Sequence, residues 1–190
     1  QAYTDGDIFK QAAAKVSVSG GAAGVASDIM QGGEVLDFDF FQTNPFGFTG
    51  ATPTAQASSI FMTFDGVGAT TDMVVILKLV NPGLDGVFGT GDDTRTTKAI
   101  VVDAGDIYRQ GDIIPGGFPS LDGNDGLIII QRNDYNFGAE NWFIEGGQVL
   151  PSTEFVTGSG INFDRNIGPT GGSFDDGTES FQPGTTDNDN

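Results

Sequence analysis

The side chains best suited to chemistry in this sequence are aspartates, many of which stand beside glycine. Of the 26 acidic residues 21 are Asp, and the chain has no His and no Cys. Aspartate–glycine steps recur at residues 85–93 and 122–126. Because glycine allows tight turns, such loops can direct several oxygens to one point, which is the arrangement that calcium prefers. The pattern predicts calcium binding as the leading chemistry.

Residues 81–94, Asn-Pro-Gly-Leu-Asp-Gly-Val-Phe-Gly-Thr-Gly-Asp-Asp-Thr, contain the clearest candidate site. Asp85 and the pair Asp92 and Asp93 flank a glycine-rich segment that can fold back, so we predict them as the principal calcium ligands. The segment resembles the acidic DG-x-x-G-T-x-D-D loops of secreted bacterial surface proteins, and this resemblance implies calcium binding. The alternative is a long solvated hairpin turn whose aspartates only keep the sheet edge soluble.

Asp122, Asn124 and Asp125 form a second candidate calcium site, just before the apolar run 127–130. The segment is similar to the first half of an EF-hand loop, but its glycine comes one position early. Asn133 also stands where the bidentate glutamate should be. An EF-hand is therefore not expected, and we predict a tight turn that enters a strand, with a single cation site as a further alternative.

Enzyme activity is not predicted, and we expect no catalytic residue and no cofactor besides calcium. The absence of His and Cys removes the common catalytic triads and most transition-metal sites. A glycoside hydrolase needs only two carboxylates that flank a cleft. Glu140, Glu145 and Glu154, close in sequence to Trp142, are the candidates for that hypothesis.

The net charge of −18, with only 8 Lys and Arg, excludes nucleic acid and anionic membrane surfaces as partners. No apolar run reaches the roughly 18 residues of a membrane-spanning helix. The first residue is Gln1 rather than Met, which indicates a removed signal peptide, with a chain trimmed in some other way as the alternative. We therefore expect a secreted protein, extracellular or at the cell surface.

Short strands separated by Gly, Pro and Asp turns predict an all-β fold. Apolar residues alternate with others at 36–40 and 60–64, and the continuous β-branched run 72–80 predicts a central strand covered on both faces. Further strands are predicted at 97–102, 127–132, 141–145, 148–150 and 153–157. Since no long helix is indicated, we predict a β-sandwich of the jelly-roll type with extended N- and C-terminal segments.

Three regions follow from composition. Residues 1–19 form an N-terminal arm, in which 7–15 can be a short helix or part of a donated strand. Residues 20–157 form the β-sandwich domain. Residues 158–190 are rich in Gly and Asp and hold few hydrophobic residues. Such a segment cannot bury enough apolar surface to fold alone, so we expect it to become ordered through contacts made on assembly.

The N-terminal sequence Ala2-Tyr3-Thr4-Asp5, followed by Phe9 and then Ala14-x-Val16-x-Val18, resembles the mature N-terminus of TasA/camelysin-like biofilm filament subunits. The resemblance implies a secreted jelly roll whose N-terminal strand completes the sheet of the next subunit. Contacts of this head-to-tail kind do not close, so they build fibres.

The leading hypothesis is a structural subunit of a secreted filament or surface layer, which assembles with copies of itself and is stabilised by calcium. A monomeric calcium-dependent adhesin or carbohydrate-binding module, with a surface polysaccharide as its partner, is the alternative. A jelly-roll glycoside hydrolase is the third hypothesis.

Overall fold

The structure is a computed structural model that describes residues 3–9, 16–19, 22–25, 30–45, 51–114, 120–137, 139–151, 161–163 and 165. Its strands are β1 (Val16–Ser19), β2 (Ala22–Val25), β3 (Leu36–Asp39), β4 (Ile60–Phe64), β5 (Met73–Asn81), β6 (Thr94–Val102), β7 (Gly126–Ile130), β8 (Phe143–Leu150) and β9 (Ile161–Phe163). Single-turn 3₁₀ helices lie at Ala104–Asp106 and Arg132–Asp134, and the described part contains no α-helix. The predicted all-β class is confirmed.

In the described part of the chain, the nine strands form three sheets. The largest has five strands in the order β3-β8-β5-β6-β9, and all of its neighbours are antiparallel except β6 and β9. The second pairs β4 with β7, and the third is the hairpin of β1 and β2. The chain therefore returns to one sheet from widely separated parts of the sequence.

Strand β5 is the centre of the five-stranded sheet, as its apolar sequence predicts. Seven of its nine residues are buried, and only Lys78 and Asn81 are partly exposed. A strand with neighbours on both edges and cover on both faces has no solvent side, so it reads as a continuous apolar run. The predicted central strand at 72–80 is confirmed within one residue of each end.

We call one face of this sheet the inner face. It carries the buried residues Val75, Leu77, Leu79, Ile100 and Val102. The same hydrophobic cluster includes buried Ile128 and Ile130 of β7, and Ile60, Met62 and Phe64 of β4 pack against it. The alternation of β4 thus reflects one face turned towards this cluster, while Phe61 points away and is 59% exposed.

The opposite side, the outer face, carries a second cluster made of Val74, Ile76, Ala99, Val101 and Leu150. Among the described residues, those that pack on this cluster from outside the sheet do not belong to strands. Buried Tyr3 belongs to it, with Phe9 and Val35 packed alongside. Residues 3–9 are the described start of the predicted N-terminal arm, and from here on the word arm means these seven residues. The arm therefore lies on the sheet of its own chain. Its residues 7–9 have no helical conformation. Residues 10–15, where a helix was the alternative, lie outside the described residues.

The sequence predicted two strands, 141–145 and 148–150, where the structure has the single strand β8. The error came from Gly146 and Gly147, which resemble a turn in the sequence. A Cβ on Gly147 would lie 2.8 Å from the Ile76 carbonyl oxygen and 2.8 Å from the Phe38 ring. The glycine pair is therefore a requirement of close packing within the sheet.

The remaining predictions concern the C-terminal part of the chain. Residues 153–157 lie outside the described residues, as does most of 158–190. Within the latter segment the structure describes β9, parallel to β6 with Ile100 opposite Ile161, and also Arg165. The Arg165 guanidinium donates to Asp112 at 2.5 Å and lies 5.1 Å from the centre of the Tyr108 ring, which fixes the chain just after β9.

Candidate functional site

The principal sequence-predicted residues lie in the loop between β5 and β6, which we call the tip loop (residues 82–93). Three of its glycines have positive φ angles: Gly83 at 68°, Gly86 at 68° and Gly89 at 84°. Residues with a side chain rarely adopt this conformation, so the loop depends on glycine for its path. At Gly83 a Cβ would also collide with the carboxylate of Asp92.

Each predicted carboxylate of the tip loop accepts a hydrogen bond from the loop's own backbone. Asp85 Oδ1 accepts from the Val87 N–H at 2.8 Å. Asp92 Oδ2 accepts from the Leu84 N–H at 3.0 Å, and Asp93 Oδ2 accepts from the Gly89 N–H at 2.8 Å. The aspartates therefore hold the loop in shape, because they satisfy donors that the hairpin leaves unpaired.

The structure brings Asp92 and Asp93 to one hydroxyl. Thr90 Oγ1 lies 2.7 Å from Asp92 Oδ1 and 3.5 Å from Asp93 Oδ1. The bond from Thr90, with that from the Leu84 N–H, outweighs desolvation and lowers the pKa of Asp92 below its ordinary value. Asp85 bonds to a different part of the loop. Among the described residues, no three or more Asp, Glu, His or Cys side chains are grouped to hold a metal. Calcium also accepts carbonyl oxygens, so this ligand set stays a prediction.

The second predicted site is a turn that enters β7. The Asp125 N–H donates to the Asp122 carbonyl at 2.9 Å, and Gly123 has a φ of 54°. The Asn124 carbonyl accepts from the Val67 N–H at 2.8 Å. The structure thus places Asp122, Asn124 and Asp125 in one tight turn, where the Asn124 carbonyl is used to hold the loop before β5.

Two features of the tip loop were not expected from the sequence. Phe88 packs edge-on against Phe143, with ring centres 5.1 Å apart, so the loop is fixed to the sheet at its base. The Arg132 guanidinium lies 4.4 Å from the centre of the Phe143 ring. In the same loop, Leu84 is fully exposed and Val87 is 54% exposed. The loop is held by hydrogen bonds and presents two aliphatic side chains to solvent.

The outer face carries an ionic network that sequence analysis missed. The Lys78 ammonium lies 2.5 Å from Asp37 Oδ1 and 2.8 Å from Asp39 Oδ1, across the intervening strand β8. It can span β8 because the residue opposite both Lys78 and Asp39 is Gly146. Burial by itself lowers the pKa of Lys78, but the hydrogen bonds and charges of the two carboxylates raise it overall.

Glu145 belongs to the same face and sits at a β-bulge. The register between β5 and β8 shifts between Lys78 and Leu79, which leaves Glu145 without an opposite residue. Its carboxylate accepts from the Arg95 Nε–H at 3.0 and 3.2 Å. Burial is the main cause that raises the pKa of Glu145 above its ordinary value, and the nearby carboxylates reinforce it while Arg95 opposes it.

The glutamates proposed for a hydrolase do not face one another. Glu140 accepts a hydrogen bond from Lys98 at 2.7 Å, whereas Glu145 is paired with Arg95. Lys98 and Arg95 are three residues apart on β6, so they project from opposite faces of the sheet. Glu154, the third candidate, lies outside the described residues.

The arm is held by a threonine on β6. Thr97 Oγ1 donates to the Asp7 carbonyl at 2.6 Å, so its one proton is used there. The Tyr3 hydroxyl, 2.7 Å from Thr97 Oγ1, must therefore be the donor in that contact, and the Gly6 N–H also donates, at 3.0 Å. This buried hydroxyl thus connects three points of the arm to the sheet.

A glutamine on β8 holds the end of the arm. Gln148 Oε1 accepts from the Phe9 N–H at 2.9 Å, and Gln148 Nε2 donates to the Phe9 carbonyl at 2.9 Å. Gln148 Nε2 also donates to Asp37 Oδ2 at 2.7 Å, which fixes the orientation of the amide. The side chain therefore pairs with Phe9 as a neighbouring strand would. Nothing in the sequence distinguishes Thr97 from Thr94 and Thr96 of the same strand, and Gln148 is a single polar residue before Val149 and Leu150, so the contact could not be predicted.

Among the residues that the structure describes, no helical segment has the length and hydrophobicity of a membrane span. No family model matches the chain, and neither the curated proteins nor the solved structures include one that matches it.

Proposed function

We propose that this chain is an extracellular structural subunit with a β-sandwich fold, which assembles with copies of itself through the arm. The observation that carries the proposal is the docking of residues 3–9 on the outer face. Tyr3 is only 4% exposed there, although it is 94 residues away in sequence from its hydrogen-bond partner Thr97.

The contacts of the arm are suited to exchange between subunits. The hydrogen bonds described above join the arm to Thr97 on β6 and Gln148 on β8, which lie between 90 and 139 positions away in sequence. The arm of a second copy can therefore make the same hydrogen bonds and fill the same apolar surface. Exchange of an identical element between protomers is a low-cost route to assembly, because the interactions that hold the arm are the same within one chain and between two chains.

Calcium is the second part of the proposal. Asp85, Asp92 and Asp93 would supply ligands at the tip loop, with Asp122, Asn124 and Asp125 at the second turn. A bound cation would also reduce the repulsion of a chain with net charge −18. Calcium at a hundred times its dissociation constant would stabilise the folded state by about 2.7 kcal/mol per site.

Sedimentation and negative-stain electron microscopy test the assembly. We expect the wild-type protein to form concentration-dependent assemblies that Tyr3→Ala abolishes, because that change removes the buried anchor of the arm. Ile8→Ala is the matched control, since Ile8 is in the same arm but is 39% exposed. A wild-type protein that stays monomeric at all concentrations would refute assembly.

Thermal melting with added calcium and with a chelator tests the metal separately. The expected result is a melting temperature that rises with calcium and a rise that is reduced in Asp93→Asn, whose side chain is only 2% exposed in the wild type. If chelation changes neither the melting temperature nor the assemblies, calcium has no part in the function.

A monomeric adhesin or carbohydrate-binding module is the second candidate, and one observation favours it. The arm closes on its own chain, and the tip loop presents exposed Leu84 and Val87 as a contact point. This candidate predicts a monomer whose binding to immobilised polysaccharide is weakened by Leu84→Ser and left unchanged by Ile113→Ser, a change at an exposed apolar residue (69%) in another loop.

A further inference from the structure

We propose that Asp85 is a site of spontaneous aspartate isomerisation, in which the backbone of the tip loop is rerouted through the side chain of this residue. Five Asp–Gly steps lie in the described residues, at positions 5, 65, 85, 122 and 125. The steps differ in the surroundings of their glycine. In some the glycine is hydrogen-bonded or closely packed, and in others there is open space around it.

The chemistry is a condensation followed by a hydrolysis. The Gly86 nitrogen attacks Cγ of the Asp85 carboxyl group, the N–H proton leaves, and the carboxyl oxygen departs as water to close a five-membered succinimide. Water then adds to the ring carbonyl that was the Asp85 main-chain carbonyl, and the ring opens with the chain linked through Cγ. One water is released and one is taken up, so the mass is unchanged and no further reactant is needed.

The geometry at Asp85 favours ring closure. Asp85 Oδ1 accepts from the Val87 N–H at 2.8 Å. This bond closes a ring of side-chain and main-chain atoms that includes the Gly86 nitrogen, so it keeps the carboxyl group near that nitrogen. Gly86 has a φ of 68°, and no atom lies within 4 Å of the position its Cβ would occupy. Both Asp85 and Gly86 are exposed. In the described part of the chain, no hydrogen bond holds the Gly86 N–H.

Two other Asp–Gly steps are held and provide internal controls. The Gly6 N–H donates to Thr97 Oγ1 at 3.0 Å and to the Thr97 carbonyl at 3.3 Å. Gly126 is part of β7, opposite Phe64, and a Cβ at Gly126 would collide with Val67 and Ile107. Because succinimide closure must move the glycine nitrogen out of its present position, these steps can react only after local opening.

The remaining two steps are of the open kind. Gly66 and Gly123 have φ angles of 76° and 54°, with no atom within 4 Å of the Cβ position. Neither Asp65 nor Asp122 shows the carboxylate-to-backbone bond that Asp85 makes to Val87, as far as the described residues extend. We therefore expect these two steps to react as well, but more slowly than Asp85.

Isomerisation would change the tip loop. The new linkage adds one carbon to the main chain. The former main-chain carbonyl carbon becomes a carboxylate attached directly to Cα, which is a side chain one carbon shorter than that of aspartate. The bond from Asp85 Oδ1 to the Val87 N–H is broken, so exposed Leu84 and Val87 change their relative positions. The charge stays the same, and the inference does not depend on assembly or on calcium.

Peptide mapping after prolonged incubation below the melting temperature tests the inference. Trypsin yields one peptide (residues 79–95) that contains only the Asp85 step and another (residues 1–10) that contains only the Asp5 step. Electron-transfer fragmentation and labelling by isoaspartyl methyltransferase identify the rearranged residue. The same protein incubated in denaturant is the reference, because there both steps lack tertiary protection.

We expect the isoaspartyl form of peptide 79–95 to accumulate about fivefold or more faster than that of peptide 1–10 in folded protein, and at similar rates in denaturant. Asp85→Glu should abolish the product in peptide 79–95 without affecting peptide 1–10, since the longer side chain would need a six-membered ring. Equal rates in folded protein, or reaction of peptide 79–95 only after unfolding, would overturn the inference.

Discussion

Thr97→Val is the change that most directly tests the docking of the arm. Valine has nearly the shape of threonine, so the packing on the outer face is kept while the hydroxyl group is removed. The substitution removes all three hydrogen bonds of Thr97 Oγ1, to Tyr3, Gly6 and Asp7. Each such bond contributes about 0.5–1.5 kcal/mol net to stability.

The full sum of three bonds is an upper limit, because parts of the arm form bonds to water instead. The Gly6 N–H also keeps its 3.3 Å bond to the Thr97 carbonyl, which the substitution does not alter. We therefore expect Thr97→Val to lower the free energy of unfolding by about 2 kcal/mol. For a chain of this size that corresponds to a decrease in Tm of about 4–8 °C.

Thr96→Val is the matched control. Thr96 is the neighbouring residue of β6, but in the described part of the chain no hydrogen bond involves its hydroxyl. Urea unfolding gives the stabilities, and the rate of tryptic cleavage after Lys10 reports on release of the arm. We expect faster cleavage in Thr97→Val alone. If both variants have the same stability and the same cleavage rate, Thr97 does not hold the arm in solution.

Two further predictions concern β8. Gly147→Ala should destabilise the fold by about 1–3 kcal/mol in urea unfolding, because the new Cβ would lie 2.8 Å from a backbone oxygen and 2.8 Å from an aromatic ring. Gly105→Ala is the control: no atom lies within 4 Å of its Cβ position, so it should have little effect in the same assay. The pKa of Glu145 in the folded state lies above its ordinary value of 4.5. The folded state therefore binds this proton more tightly than the unfolded state, and the free energy of unfolding should fall as the pH rises from 4.5 to the folded-state pKa. NMR titration should show a further rise in the pKa of Glu145 in Arg95→Gln and a decrease in Asp39→Asn, and opposite directions would contradict the proposed causes.

The strands of the core could be predicted from the sequence because their side-chain pattern depends on local burial. The continuous apolar run of β5 and the alternation of β3 and β4 each identified a strand. The pair Gly146 and Gly147 misled this reasoning. Glycine is common both in turns and where two chain segments approach closely, and only the neighbours Phe38 and Ile76 distinguish the two cases.

The candidate site was only partly accessible to sequence reasoning. The sequence predicted that Asp85, Asp92 and Asp93 flank one glycine-rich segment that folds back, and they do lie in one loop between β5 and β6. The sequence did not reveal that their oxygens bond to the loop's own N–H groups. It also did not reveal the network around Lys78, because its partners Asp37 and Asp39 are about 40 residues away and had the alternation of a solvated face.

The position of β8 between β3 and β5 determines the order in which the sheet can form. The hairpin of β5 and β6 needs only neighbouring sequence, whereas β3 must wait for β8, whose Gln148 is 111 residues from Asp37. Pairing over such a long range slows folding, since the chain loses the entropy of loop closure before the strands stabilise one another. Until residue 150 has been synthesised, the edge of β5 that later pairs with β8 therefore lacks a neighbour. An apolar edge exposed for that time is where chaperones would bind and where premature chains would aggregate.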